Sequence, residues 1–359
     1  MVITEVKCYE LRIPTVPFKR RQGLPDFPAN KNAVLLQIIC SDGTEGLCLW
    51  DRNGAVVKAI VENQLGPQLK GQDPTRIGRI WELLWNLSRS YYFPKYVIGL
   101  VDIALWDLWA KHLGLPVARL AGGYRDGIPA YASTLSYRSL EEYKPVIDKA
   151  LADGYRALKL HGPGRPEADL PLCRTVRDWV GPEFPLMFDA TSDYSYEEAL
   201  MVGRELEKLD YQWFEEPLKD VHRDQLRRLS DKLDIPLLIA ESSDESFYDV
   251  ANQISAATGT MIHGDPFIKG GITGVLKSAA ICEAFGLTYQ VHHSESYGLH
   301  AACAIRNTVW YEQIVPETTL QFDIERDLVR VNRDGVMQIP DRPGFGVEID
   351  FDKLAKYVV

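Results

Sequence analysis

PLMFDATSDYSYEEALMVGRELEKLDYQWFEEP (185–217) reads as a short apolar run of strand length, an amphipathic stretch of helical length, and a second apolar run. The first run, PLMFDA (185–190), carries Asp189 near its end, and the second, YQWFEE (211–216), ends on Glu215 and Glu216. The same rhythm extends in both directions. Upstream lie PAYAST (129–134) and YRALKL (155–160), with EEYKPVIDKALADG (141–154) between them and LPLCRTVRDWVG (170–181) after them. Downstream come PLLIAE (236–241), GTMIHGD (259–265), LTYQVHH (287–293) and TVWYEQ (308–313), with TGVLKSAAICEAFG (273–286) among the helical stretches. Eight strand-like runs alternating with helices predict an α/β fold with a closed parallel barrel.

The flanks follow a different pattern. ITEVKCYELRI (3–13) and AVLLQIICSDGTEGLCLW (33–50) read as strands, with Ser-Asp-Gly-Thr as a hairpin turn. From about Val56 to His112 the apolar spacing is helical, and Gly114 and the Gly122-Gly123 pair punctuate its end. The residues after about 323 return to turns and short strands, expected to pack back on the N-terminal region as one α+β domain.

In such a barrel the C-terminal ends of the strands share one mouth, where chemistry takes place. Six successive runs carry a residue of catalytic type there: Lys159, Asp189, Glu215, Glu241, Asp265 and His292, with Glu312 on the eighth. From Asp189 onward the steps are 26, 26, 24, 27 and 20 residues, roughly one strand, one helix and two loops each. A lone acid at a strand end is usually a helix cap or a loop residue. Three in consecutive units at near-equal steps are not so explained. Such carboxylates repel one another unless a cation lies between them. Hard oxygen donors from Asp189, Glu215 and Glu241, without CxxC or HxH, suit Mg²⁺ better than Zn²⁺.

Bulk properties restrict the partners. A net charge of −10 disfavours nucleic acid and anionic lipid at long range. The six cysteines form no CxxC pair and are expected to be reduced and mostly buried. No signal peptide or membrane-length apolar run is visible, so a cytoplasmic protein is expected.

At these residues the chain resembles the enolase superfamily, and within it the mandelate racemase-like subgroup. The resemblance covers nearly the whole chain. DIALWDLWAKHLGLPVARLAGG (102–123), WFEEP (213–217), KGGITG (269–274) and DGVMQIPDRPGFGVEID (334–350) carry it through their order and separation. It implies a (β/α)₇β barrel over residues 125–322, capped by an α+β domain of residues 1–124 that the segment 323–359 completes. It also implies abstraction of the proton next to a substrate carboxylate, with electrostatic stabilisation of the resulting enediolate. Carried over residue by residue, Asp189, Glu215 and Glu241 match the Mg²⁺ ligands, and His292 with Asp265 the His–Asp dyad. Glu312 matches the acid that hydrogen-bonds the substrate carboxylate, and Lys159 the first position of the KxK motif, on the opposite side of the substrate from His292. Glu216 is the second acid of the EEP pattern, behind the ligands. Homo-oligomers are usual for this family and are expected here.

Two positions depart from the pattern. His161 stands where many members carry the second lysine; an imidazole can still act there as acid or base, so His161 stays a catalytic candidate, but the replacement weakens a two-base racemisation and leaves His292 as the principal base. Thr191 stands where the family often has Asn. His293 follows His292, and strand alternation sends only one of the two into the mouth. His263 is read as a buried, satisfied histidine, and Tyr91, Tyr92, Phe93 and Tyr96 as packing at a helix start. Arg20, with Lys19 and Arg21, and Trp50 lie in cap loops over the mouth; with Thr191 and Glu216 they are the candidate substrate contacts. The reading is a Mg²⁺-dependent acid-sugar dehydratase giving a 2-keto-3-deoxy acid, the alternative a racemase, epimerase or cycloisomerase using the same intermediate. A metal-dependent barrel hydrolase would want an HxH motif, and a non-enzymatic binding protein would have lost ligands.

Overall fold

Alternation along the first fifty residues produces a sheet with two different faces. In the computed structural model, which describes residues 1–16, 18–21, 23, 25–243, 245–316, 325, 326 and 329–359, β1 (Ile3–Pro14), β2 (Asn30–Cys40) and β3 (Glu45–Trp50) pair antiparallel in that order. Val34, Leu36 and Ile38 of β2 join the main core, whereas Ala33 and Leu35 pack with Leu11, Leu49 and the C-terminal Leu354. Successive side chains of a strand point to opposite faces, so β2 is buried twice. Backbone bonds from Arg12 N to Tyr357 O (2.8 Å) and from Val359 N to Glu10 O (3.0 Å) tie the last residues to β1. The Ser-Asp-Gly-Thr hairpin joins β2 to β3 as expected.

Eight parallel strands close the barrel: β4 (Gly127–Thr134), β5 (Leu158–His161), β6 (Leu186–Asp189), β7 (Phe214–Glu215), β8 (Leu237–Ile239), β9 (Met261–Gly264), β10 (Thr288–Val291) and β11 (Tyr311–Val315). Closure is the pairing of β11 with β4, Tyr311 opposite Ala130 through Val315 opposite Thr134. A helix follows each of β4 to β10, and Ser139–Glu142 and Ser195–Glu198 capping boxes start two of them. Thus the expected (β/α)₇β barrel with an α+β cap is the fold. After β12 (Glu325–Arg326), β13 (Val336–Gln338) adds antiparallel to the start of β4, and β14 (Glu348–Ile349) pairs with β12. The expected boundary at 322/323 lies outside the described residues.

The cap meets the barrel along the helix Tyr96–Leu113, which is apolar on nearly every side and buried between the sheet and the helix Gly271–Ala284. Gly99 permits the contact: a Cβ there would lie 2.2 Å from the Phe267 carbonyl oxygen. Gly271 does the same from the other side, at φ +86°, where a Cβ would lie 2.1 Å from Asp102 Oδ1. Asp102 Oδ1 accepts from Thr273 N (3.0 Å) at the start of that barrel helix, a favourable place for a negative charge. Burial nonetheless pushes the Asp102 pKa from 3.8 up to about 7.

Between those values the folded chain holds a proton that the unfolded chain has released, so this group's contribution to stability falls as pH rises. Calorimetric unfolding of the protein and of Asp102→Asn should therefore diverge between pH 4 and 7, by up to about 1.4 kcal/mol per pH unit. Parallel profiles for the two proteins would refute the assignment.

Two expectations are corrected. Tyr91 and Tyr92 end the helix Ile77–Tyr91 rather than start one, and Tyr92, at φ +55°, is 89% exposed. Strand β7 has two residues instead of six: it begins only at Phe214, and the chain turns at Glu216 (φ +42°). All six cysteines are free and buried. Among the described residues no helix is long and apolar enough to cross a membrane.

Candidate active site

The barrel interior is built in layers two residues apart, as strand alternation requires. Tyr131, Ala157, Met187, Trp213, Leu238 and Met261 form an apolar floor, with Trp310 against it. Two residues further along the same strands come Ser133, Lys159, Asp189, Glu215, His263 and Glu312. The floor thus fixes which residues face the mouth. Glu241 breaks the rule, standing three residues after Leu238. Ala240 at φ +78° supplies the missing half-turn. Thr191 (φ +49°), Ser192 (φ +60°), Glu216 (φ +42°) and Glu295 (φ +43°) are left-handed as well, all on turns leaving barrel strands. Such conformations cost on the order of 1–3 kcal/mol each and cluster at functional sites.

Lys159 is fully buried over the floor, its Nζ 2.6 Å from Glu215 Oε1, 2.7 Å from Glu312 Oε1 and 3.5 Å from Asp189 Oδ2. Burial opposes its charge, but these carboxylates outweigh it and hold the ammonium well above its usual pKa. Trp213 Nε1 donates to the other oxygen of Glu215 (2.9 Å) from below. The four acids Asp189, Glu215, Glu241 and Glu312 outnumber this one lysine.

The donor set fits a hard divalent cation. Glu215, Glu241 and His263 each offer a ligand atom, all within 4.8 Å of one another. Both ring nitrogens of the buried His263 lack a hydrogen bond, although Nδ1 lies 3.2 Å from Glu215 Oε1 and 3.6 Å from Glu241 Oε2. The short separations lack hydrogen-bond geometry, so the expected satisfied histidine is instead an orphaned one. Asp189, the third expected ligand, points its Oδ2 at His161 Nε2 (3.0 Å), and its Oδ1 accepts from Thr191 N (2.7 Å).

On the other side of the mouth, Asp265 Oδ2 lies 2.8 Å from His292 Nδ1, while its Oδ1 accepts from Phe267 N and Ile268 N. His292 Nε2 faces inward, 3.3 Å from Glu241 Oε1 and 4.0 Å from Glu312 Oε2. Burial disfavours the imidazolium, but Glu241, Asp265 and Glu312 together push its pKa to about 10. His293 turns away: its N–H donates to Glu312 Oε2 (3.1 Å) and its Nδ1 faces the Glu312 carbonyl and Tyr311 Oη. His161 takes the side opposite His292, with Nδ1 3.5 Å from Ser133 Oγ.

The expected substrate contacts are less uniform. Trp50 is packed between Tyr96 and Phe267, at ring separations of 4.6 and 5.2 Å. Arg20 lies over the Phe27 ring (5.2 Å), and its neighbour Arg21 is buried against Asp193, Thr191 Oγ1 and Pro163 O. Arg21 therefore ties the cap loop to the barrel. The Thr191 hydroxyl is shared between Arg21 and Asp193. Glu216 is turned outward from the cluster, accepting from Ser192 Oγ (3.1 Å) and Glu241 N (3.0 Å). Burial, and then Asp220 and Glu241, raise its pKa well above the carboxylate range. It braces the Glu241 backbone, and no substrate contact follows from that position. Sequence reasoning also passed over Trp213 and Lys269. For Trp213 the two-residue spacing to Glu215 was the available signal.

Comparison with known proteins agrees with this architecture. Residues 27–122 match the mandelate racemase/muconate lactonizing enzyme N-terminal domain, and residues 143–353 the enolase C-terminal domain-like family. The chain is 29% identical to the 3,6-anhydro-α-L-galactonate cycloisomerase of Streptomyces coelicolor, covering 98% of this chain and 97% of that protein. It is 30% identical to the D-galactarolactone cycloisomerase of Agrobacterium fabrum, covering 99% of each. The crystal structure of D-glucarate dehydratase from Agrobacterium tumefaciens, complexed with magnesium, superposes with a TM-score of 0.92 at 31% identity, over 100% of this chain and 99% of that one. With barrel, cap and both domain matches in agreement, the chain belongs to the mandelate racemase/muconate lactonizing enzyme family of the enolase superfamily.

Proposed function

We propose that the protein is a Mg²⁺-dependent acid-sugar dehydratase that removes the proton α to a carboxylate and eliminates the β-hydroxyl. The observation that carries this reading is the asymmetry of the mouth. One side presents an imidazole oriented by a carboxylate, His292 on Asp265, with its free nitrogen inward. The other side presents Lys159, held between Glu215 and Glu312, and His161, whose Nε2 is engaged by Asp189 Oδ2 at 3.0 Å and not by a dyad partner of its own. That favours one base facing a fixed positive charge over the two competent bases that racemisation requires.

Asp189, Glu215 and Glu241 would hold the cation, with His263 placed to contribute. When bound, a divalent cation supplies electrostatic stabilisation to the substrate carboxylate as negative charge grows on it. Glu241, 3.3 Å from Nε2, is one of the charges that keep His292 protonated, and a cation held there would offset it. His292 Nε2 then takes the α-proton, while Asp265 fixes the tautomer that leaves Nε2 free to do so. Lys159, held in place by Glu312, donates to one carboxylate oxygen of the enediolate, and Glu312 in its protonated form would donate to the other. The β-hydroxyl leaves as water, protonated by His292 or by His161 across the mouth. The resulting enol tautomerises to a 2-keto-3-deoxy acid.

A second reading shares the first step. Two relatives matched along their whole length are cycloisomerases, so a ring oxygen in place of a free hydroxyl is the alternative leaving group. Incubation with Mg²⁺ and a panel of mono- and diacid sugars and their lactones, with semicarbazide detection of 2-keto acids, separates the two. The expected result is keto acid from an open-chain sugar acid, lost on adding EDTA and restored by Mg²⁺. Turnover of lactones or anhydro-sugar acids alone moves the assignment to cycloisomerisation. Absence of α-proton exchange in D₂O on every acid tested would sink both readings.

A further inference from the structure

Lys269 is fully buried, and the chemistry above makes no use of it. It leaves the turn after β9 and reaches across to the turn after β8. Its ammonium donates to the carbonyl oxygens of Ala240 and Ser243 and to Ser243 Oγ. Ala240 is the left-handed residue whose φ of +78° swings Glu241 into the mouth. At its other end, Lys269 N donates to the Asp265 carbonyl (2.8 Å), and the Lys269 carbonyl accepts from Ser246 Oγ. Its side chain thus spans the two turns that present Glu241 and Asp265. The cap holds the same segment from outside, through Trp81 Nε1 to Gly270 O (2.7 Å) and the Trp50–Phe267 stack.

Burying an ammonium is costly unless it is fully hydrogen-bonded, and a solvent-exposed lysine could not clamp two buried carbonyls. We infer that Lys269 is a positioning residue, which holds Ala240 in its strained conformation and thereby places Glu241 for the cation, with Asp265 fixed from the same segment. This rests on the proposed reading of Glu241 as a metal ligand and of Asp265 as the partner of the base. Groups that orient ligands from behind typically control about 10–100-fold in metal affinity or activity.

The test is calorimetric Mg²⁺ binding by the full chain, far below its melting temperature, for the unmodified protein, Lys269→Met and Ser243→Ala. Positioning predicts that the Mg²⁺ Kd rises about 10–100-fold in Lys269→Met. Ser243→Ala, which removes one of three acceptors and no charge, should shift it less in the same direction. In both variants α-proton exchange at saturating Mg²⁺ should be slowed. A Kd that is unchanged in both variants while only the melting temperature drops would make Lys269 structural. Tighter binding by Lys269→Met would make it a counter-charge. Either result overturns the inference. If Lys269→Met does not fold, an unchanged Kd in Ser243→Ala overturns it alone. Failure of the unmodified protein to bind Mg²⁺ would overturn the reading of Glu241 itself, a distinguishable outcome.

Discussion

His292→Asn is expected to lower the rate of α-proton exchange and of turnover by about 10²–10⁴-fold, the range a positioned general base contributes. The change is conservative in volume and keeps a polar group beside Asp265. What it removes is the inward-facing Nε2, 3.3 Å from Glu241 and 4.0 Å from Glu312. Because the proposed ligands are Asp189, Glu215 and Glu241, with His263 placed beside the last two, Mg²⁺ binding should survive. Asp265→Asn should follow in the same direction, since an amide facing Nδ1 favours the wrong tautomer. Exchange measured by NMR in D₂O gives the answer without knowledge of the final product. A His292→Asn protein that exchanges within tenfold of the unmodified one would remove His292 from the mechanism.

Replacing Lys159 by Met should be costly in a different way. Its ammonium lies between two fully buried carboxylates, Glu215 and Glu312, with Asp189 slightly further off. Removing one partner of a buried ion pair leaves charge uncompensated and costs about 3–5 kcal/mol, a large share of the ~5–15 kcal/mol that typically holds a domain folded. Activity should be lost with it. Denaturant unfolding in EDTA isolates the effect from any cation that would replace the lysine's charge. Adding Glu312→Gln to Lys159→Met should return part of the stability, because one of the stranded charges is then gone. Equal stability of Lys159→Met and the unmodified protein in EDTA would contradict this account of the site.

These sites differ in how far the sequence exposed them. Asp189 and Glu215 were legible because they stand at the ends of apolar runs 26 residues apart, whereas the floor residues Met187 and Trp213 two positions before them were recognised only in the structure. The repeat of about 26 residues, read together with the family motifs, was enough to predict the barrel and the order of its catalytic strands. Glu241 was found by that spacing, but its orientation was not readable, since it depends on one left-handed residue, Ala240. Arg21 was grouped with substrate contacts, yet its partners Asp193 and Thr191 lie about 170 residues away, on a barrel turn. His263 was read as satisfied because nothing in its neighbourhood along the chain shows that Glu215 and Glu241 approach it without bonding.

Local order was therefore determined by the sequence alone: strand and helix periods, the apolar floor two residues below the polar layer, and the residue types delivered to each strand end. Tertiary structure alone decided which of those groups pair. Lys159 meets Glu215 and Glu312, His161 meets Asp189, and Lys269 meets Ala240 only after β11 closes on β4 and the turns are brought together. Periodicity comes from backbone geometry repeated every few residues, so it is written locally. Pairing energies depend on distance and burial between residues far apart in the chain, and these take values only when the barrel closes and the cap docks.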